Sequence, residues 1–220
     1  MEYDYGEYMN YDYITVQPEN SQVSIVEESV VETVNAESEG RLLCFRDSFG
    51  NSLLPFMANE FNYSYFSKSI PYRLDYMYQM GMNVCVVELV ERNLIQLVRF
   101  APVMPAPLRN FDAECEEYTS DVTKCDVGDF ENYYKITGEL DSSYVSDSSF
   151  VYIRLTDGSG VSFVIEATPA YDYLAYGTDS DYGYTAYINK GALPQGQYEI
   201  ELITENGVYY NTFSDTRIDF

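Results

Sequence analysis

Between residues 41 and 98 the apolar side chains fall in short unbroken runs, whereas beyond residue 131 they alternate with polar ones. The two patterns predict two kinds of fold. "RLLCF" reads as a short buried strand, bounded by Gly40 and by an abrupt Asp47-Ser48-Phe49-Gly50-Asn51 turn. Leu53, Leu54, Met57 and Phe61 then recur at helical spacing, with Asn51 or Ser52 as N-cap and Pro55 early enough to be tolerated in the first turn. "YSYFSKS" predicts a second strand, "YRLDYMYQMGM" a second helix ending near Gly81, and "NVCVVELV" a third, almost wholly apolar strand. Strand and helix alternating in this way predict a parallel, doubly wound α/β unit, of which only about half is encoded here.

Pro102, Pro105 and Pro107 in "APVMPAPLRN" interrupt both helix and sheet and mark a boundary. An acidic linker follows, then runs such as "FVYIRLTDGSGVSFVIEA" and "QYEIELITENGVYYNTF". In the latter, Tyr198, Ile200 and Leu202 take one face and Glu199 and Glu201 the other, the mark of a half-buried antiparallel strand. Asp157-Gly158 and Asn206-Gly207 between runs signal type I′ hairpins, which need positive φ at both central residues. The fold class expected is therefore α/β plus all-β: a partial doubly wound parallel sheet, then an antiparallel β-sandwich or jelly roll. The expected divisions are a Tyr-rich acidic segment (1–39), the partial α/β domain (40–106), an acidic linker (107–130) and the sandwich (131–220). "QVSIVEESVVETV" gives the first segment one or two strands, which pack on the α/β region or complete another domain.

Charge sharpens these divisions. The formal charge of −24 comes from 36 acids against 12 bases, which repels nucleic acid and anionic membrane surfaces and excludes both as partners. Residues 1–40 hold ten acids and no base, whereas 41–100 hold five acids and six bases, as a sheet buried on both faces should. No apolar stretch is long enough to span a bilayer. Tyr, Ser, Asp and Asn in abundance, without Trp or His, suggest an extracellular or surface-exposed bacterial protein. "MEYDYGEYMNYDY" has neither the basic start nor the apolar core of an export signal, so that signal, and a missing domain, are expected upstream of Met1. Cys44 and Cys85 are expected as core thiols; Cys115 and Cys125 either bridge in an oxidising compartment or remain apart. No cofactor motif is present. "DSDYG" at 179–183 resembles an acidic calcium loop, but Lys190 stands where an EF-hand needs its bidentate Glu, so no metal is expected.

Candidate chemistry centres on Ser48. At the carboxyl end of a parallel strand, just before a helix, its hydroxyl would meet donors from the turn and the helix dipole. A turn or capping serine is the alternative. "RDSFGNSLLPFMANEF", followed after a strand and a helix by "NVCVVELVERNL", resembles the SGNH-hydrolase-like proteins of the DHHW family, relatives of the alginate O-acetylation proteins, over residues 40–98. The resemblance implies Ser48 as nucleophile, backbone donors from the turn at Phe49, Gly50 and Asn51, and Arg92 as a site residue; Arg92 could equally form a solvated ion pair with Glu91. It also implies an esterase or O-acetyltransferase acting on cell-envelope or extracellular polysaccharide, with an acylated glycan as partner. That family takes its acid and base from an Asp and a His upstream of the serine, and this chain has no His. A serine hydroxyl is a weak nucleophile until a base takes its proton, and Asp47 is too weak a base at neutral pH. The chain is therefore expected to be inactive alone.

A second reading is a non-catalytic carbohydrate-binding or surface-interaction protein. "AYDYLAYGTDSDYGYTAY" offers Tyr171, Tyr173, Tyr176, Tyr182, Tyr184 and Tyr187 as sugar-stacking rings, unless these are strand core. An extracellular scaffold without a ligand is the third reading.

Overall fold

The computed structural model describes residues 9–16, 25–146, 150–170 and 182–220. They divide into two compact units, Met1–Gln96 and Leu97–Phe220, one α/β and one all-β.

The first unit is a five-stranded mixed sheet. Its strands are β1 (Asp12–Val16), β2 (Val30–Val34), β3 (Arg41–Phe45), β4 (Tyr63–Ser67) and β5 (Val84–Val87), in the spatial order β1-β2-β4-β3-β5. The parallel core is as expected: β3 runs parallel to both β4 and β5. The acidic N-terminal segment adds β1 and β2 antiparallel at one edge, through β2 and β4. Tyr3, Tyr5 and Tyr8 lie outside the described residues.

Both faces of the sheet are covered because β3 is apolar at every position but its first. Leu42 and Cys44 pack with Leu54 and Ala58 of α1 (Leu54–Glu60). Leu43 and Phe45 point the other way, into a cluster with Tyr72 and Met82 that includes Tyr76 and Met77 of α2 (Tyr76–Gln79). Helices on opposite faces are what double winding requires. α1 begins later than its sequence suggests. A 3-10 turn, Phe49–Ser52, comes first, and the N-cap is Leu53, not Asn51 or Ser52. Leu53, expected on the buried face, is 43% exposed.

Expectation and structure also part at β5. As an edge strand it alternates between half-buried and exposed positions, so Cys85 is exposed and only Cys44 is a core thiol. An apolar strand is buried on both faces only when flanked and covered on both sides.

Among the described residues the strand pairings of the second unit are antiparallel apart from one short parallel pair and a single parallel bridge between Pro105 and Tyr187. The short helix α3 (Ile95–Arg99) spans the division between the units, and the second unit then contains β6 (Leu108–Arg109), β7 (Glu116–Glu117), β8 (Asp126–Phe130), β9 (Tyr133–Glu139), β10 (Val151–Asp157), β11 (Ser162–Pro169), β12 (Gly183–Asn189), β13 (Gln197–Glu205) and β14 (Tyr209–Asp219). Hydrogen bonds join these strands into one curled nine-stranded sheet. β11 makes the corner: Ser162–Ala167 pair with β10, and Thr168 and Pro169 turn to pair with β12. A strand that changes partners lets one sheet wrap around its own core. Ile136, Ile153, Leu155, Ile165, Tyr184 and Ile200 fill the space enclosed.

Two sequence boundaries need correction. Ala101 and Val103 pack with Tyr133, Ala170 and Tyr187, and Ala106 N–H donates to Tyr187 O at 2.8 Å, so the proline run belongs to the β unit. Residues 107–130 are not a free linker: they supply β6, β7 and β8, which pair with β11, β14 and β9. Their mostly polar or exposed side chains read as solvated linker because these strands hold on largely through backbone bonds, Val127 and Phe130 alone among them packing on buried clusters. Cys115 and Cys125 are separate thiols.

Both expected hairpins form, but neither turn is type I′. Asp157 Oδ1 accepts N–H bonds from Ser159 at 2.8 Å and Val161 at 2.9 Å, and the positive φ falls on Gly160. In the second hairpin Gly207 alone takes positive φ. Tyr184 also changes role. It is 0% exposed and its hydroxyl donates to Lys124 O at 2.9 Å, so its ring is core, not a sugar platform. Tyr187 is likewise buried, and Tyr182 packs half-buried against the same core. Tyr171, Tyr173 and Tyr176 lie outside the described residues, as do Asp179 to Asp181 of the calcium-loop pattern.

Lys124 O lies so close to β9 that a Cβ on Gly138 would stand 1.9 Å from it. Gly138→Ala is expected to lower stability by about 1–3 kcal/mol, the usual cost of overpacking, although alanine is the better strand residue. Urea unfolding measures it; an unchanged midpoint would contradict the close approach.

Candidate functional site

The carboxyl ends of β3 and β5 lie side by side, and each is followed by a charged residue. Arg46 and Asp47 follow β3; Glu88 follows β5. The chain then turns sharply in both places, into the 3-10 turns Phe49–Ser52 and Glu91–Asn93.

Asp47 joins the two turns. Its Oδ1 accepts the Phe49 N–H at 2.8 Å; its Oδ2 accepts the Val90 N–H at 2.9 Å and the Asn93 side-chain N–H at 3.1 Å. Its own N–H donates to Glu88 Oε2 at 3.3 Å. Partial burial alone would raise the Asp47 pKa; the bonds from Val90, Phe49 and Asn93 and the charge of Arg92 outweigh it and hold the carboxyl below its ordinary value. The blocks "RDSFGN" and "VERNL", far apart in sequence, are thereby brought together. Arg92 completes the contact, its guanidinium 5.4 Å from the Phe49 ring centroid.

Ser48 is exposed, as is Phe49, and the Ser48 side chain makes no capping bond to the turn it precedes. Ser48 therefore precedes the turn without capping it. The expected donors are less available. Phe49 N–H is taken by Asp47, Asn51 N–H goes to Ser48 O at 3.4 Å, and Gly50 is buried. No helix dipole bears directly on Ser48, because the short α1 starts only at Leu54.

Beneath the turn lie two residues that sequence reasoning passed over. Arg46 is 3% exposed; its guanidinium donates to Asn51 Oδ1 and to Glu28 O. Burial lowers its pKa, against the raising effect of Cys44 and Glu88. Gly50 sits over it so tightly that a Cβ would lie 2.7 Å from both Arg46 Cβ and Glu88 Oε2. Glycine is required there to admit the Glu88 carboxylate and the aliphatic stem of Arg46 below one turn. The available signal was a charged residue closing each apolar strand, in "CFRD" and "VVEL".

Cysteine is a poor alternative nucleophile. Burial pushes the Cys44 thiol up to about 12 and raises Cys85, Cys115 and Cys125 as well. Among the described residues no group of three or more His, Cys, Asp or Glu is placed to hold a metal ion.

No protein-family model matches the chain, and no curated protein does. Among solved structures, the Bacillus cereus protein PatB1, determined with a sulfonyl adduct, is similar at 20% identity and a TM-score of 0.28, over 31% of this chain. The match spans about a quarter of the length of PatB1 (25%), an overlap too small to define a shared fold.

Asp47 is expected to support stability only while ionised. A carboxyl with a lowered native pKa contributes fully above its unfolded value of about 3.9 and loses that contribution as pH falls through the lower native value. Asp47→Ala should cost about 1 kcal/mol at neutral pH, as for a lost cap, and the difference from wild type should vanish in acid. Paired thermal melts between neutral pH and pH 2 check this; a difference independent of pH would contradict the ionised brace.

Proposed function

We propose that the chain carries the nucleophile half of a serine acyl-transfer site of the SGNH type, directed at ester-linked acyl groups on glycans, and that its proton acceptor comes from outside these 220 residues. One observation carries the reading. Asp47 ties the "DSFG" turn to the "VERN" turn while Ser48 itself is left uncapped and exposed at the carboxyl edge of parallel strands. Ligand sites in open α/β sheets favour that edge.

The chemistry follows from what is present and what is not. When a base takes the hydroxyl proton, Ser48 Oγ can attack an acyl carbonyl; the carbon–oxygen bond to the sugar breaks and the departing oxygen takes a proton. Asp47 is already an acceptor of three hydrogen bonds and ionises at unusually low pH, which makes it a positioning residue and a poor base. The chain alone can hold the hydroxyl in place but not activate it.

The test uses 4-nitrophenyl acetate with wild type and Ser48→Ala, with and without added imidazole as a surrogate base. Without imidazole the two proteins should both hydrolyse the ester at background rate. With imidazole wild type should exceed Ser48→Ala. Ser48-dependent turnover without imidazole would show that the chain holds its own base; no Ser48-dependent difference at any imidazole concentration would remove Ser48 as the nucleophile.

A further inference from the structure

The β unit carries a second feature, independent of Ser48. Opposite β13, strand β14 is bulged: Arg217 pairs with Glu199 and Phe213 with Glu201, so three residues, Ser214, Asp215 and Thr216, face Ile200 alone. Bulges re-aim side chains and are favoured beside functional sites. Here the bulge forms one wall of an open cleft of about 440 Å³, and residues 119–126 form the other.

The cleft is built on a fixed backbone. Lys124 O accepts the Tyr184 hydroxyl at 2.9 Å, Lys124 N–H donates to Glu139 O at 2.8 Å, and Cys125 O accepts the Thr216 hydroxyl at 2.9 Å. Gly138 presses against Lys124 O from below, where any side chain would clash. Tyr184, offered by the sequence as a sugar-stacking ring, instead anchors this floor from inside the core. Ser214 Oγ accepts Thr216 N–H at 3.0 Å, which fixes the bulge itself. A site held this way loses little entropy when it binds.

Its lining is mixed in a particular way. Asp121, Asp126 and Asp215 bring exposed carboxylates, Lys124 brings one ammonium 3.7 Å from Glu139 Oε2, Ser214 brings a hydroxyl, and Phe213 brings an aromatic ring 60% exposed to solvent. Carboxylates and hydroxyls exchange hydrogen bonds with sugar hydroxyls, while an exposed ring covers the apolar C–H face of a pyranose. We infer that this cleft between the β14 bulge and residues 119–126 binds a neutral saccharide. Three carboxylates outnumber the single ammonium of Lys124 in the lining, and in a chain of formal charge −24 they repel uronic acids and sulfated sugars. The inference does not depend on the acyl-transfer reading.

The experiment titrates the full chain, by calorimetry and by backbone amide NMR shifts, with neutral β-1,4-linked tetrasaccharides of glucose, mannose, xylose and N-acetylglucosamine, and with tetragalacturonate. At least one neutral sugar should bind saturably and shift the amides of Lys124–Asp126 and Phe213–Thr216; tetragalacturonate should not. Phe213→Ala and Asp215→Asn, both at exposed positions, should each weaken binding by about tenfold or more with the melting temperature unchanged, and Phe213→Tyr should retain it. Ser48→Ala should bind sugar like wild type, which separates this result from the fate of the acyl-transfer site. The inference falls if no neutral sugar binds, if the shifts map elsewhere, if the two variants bind undiminished, or if the cleft responds only to calcium ions.

Discussion

One carboxylate ties the carboxyl edge of the α/β sheet together. Two parallel strands end beside each other with nothing in their ladder to dictate how the chains beyond them turn, and Asp47 supplies that constraint by accepting bonds from three residues on two turns. The Phe49 N–H it consumes is also why the Ser48 turn is poor as an oxyanion site. A backbone N–H that holds a carboxylate is not available to a substrate. Gly50 is pressed against the Arg46 stem and the Glu88 carboxylate in the same corner, where the buried guanidinium donates to Asn51 Oδ1 and Glu28 O.

On the acyl-transfer reading, this rim separates positioning from activation. Everything that fixes the serine is encoded between Arg46 and Asn93: a backbone corner, a braced neighbouring turn and a cation–aromatic contact from Arg92. What a serine needs in addition is a group with a pKa near neutrality, and histidine is the side chain that ordinarily has one. The thiols do not compensate, because desolvation, full at Cys44 and partial at the other three, makes each harder to ionise. The β unit is organised differently. Its cleft needs no activated group, only a floor that does not move, and a glycine, a buried tyrosine and a bulge provide it.

Much of the architecture was legible because it follows from side-chain burial. The unbroken run in β3 announced a strand covered on both sides, and the alternation in "YEIEL" announced a sheet with one wet face, although Glu201 is buried all the same, paired with Arg154 at 2.7 Å. What the sequence concealed depends on position within the sheet. β5 looks like a central strand from its composition, yet it lies at an edge and exposes Cys85; no local pattern reports that. β6 to β8 look like linker because they are short or largely polar and are held mainly by main-chain bonds, with only Val127 and Phe130 of β8 packing on buried clusters. Tyr184 reads as a surface aromatic until its hydroxyl is seen to have a partner in the distant Lys124 carbonyl. At the candidate site Ser48 and Asp47 could be singled out by local pattern, whereas the bond from Asp47 to Val90 spans residues whose proximity only the strand order creates.

The brace itself can be read directly by carbon-13 NMR titration of the Asp47 side-chain carboxyl, with hydrogen exchange of the Val90 amide recorded on the same sample. If Asp47 braces the two turns, its titration midpoint lies below the usual aspartate value of about 3.9 and the Val90 amide stays protected until that midpoint is crossed. A carboxyl titrating at or above the usual value, beside a Val90 amide that exchanges freely at neutral pH, would mean that the two turns are not joined and that Ser48 is not held at this rim.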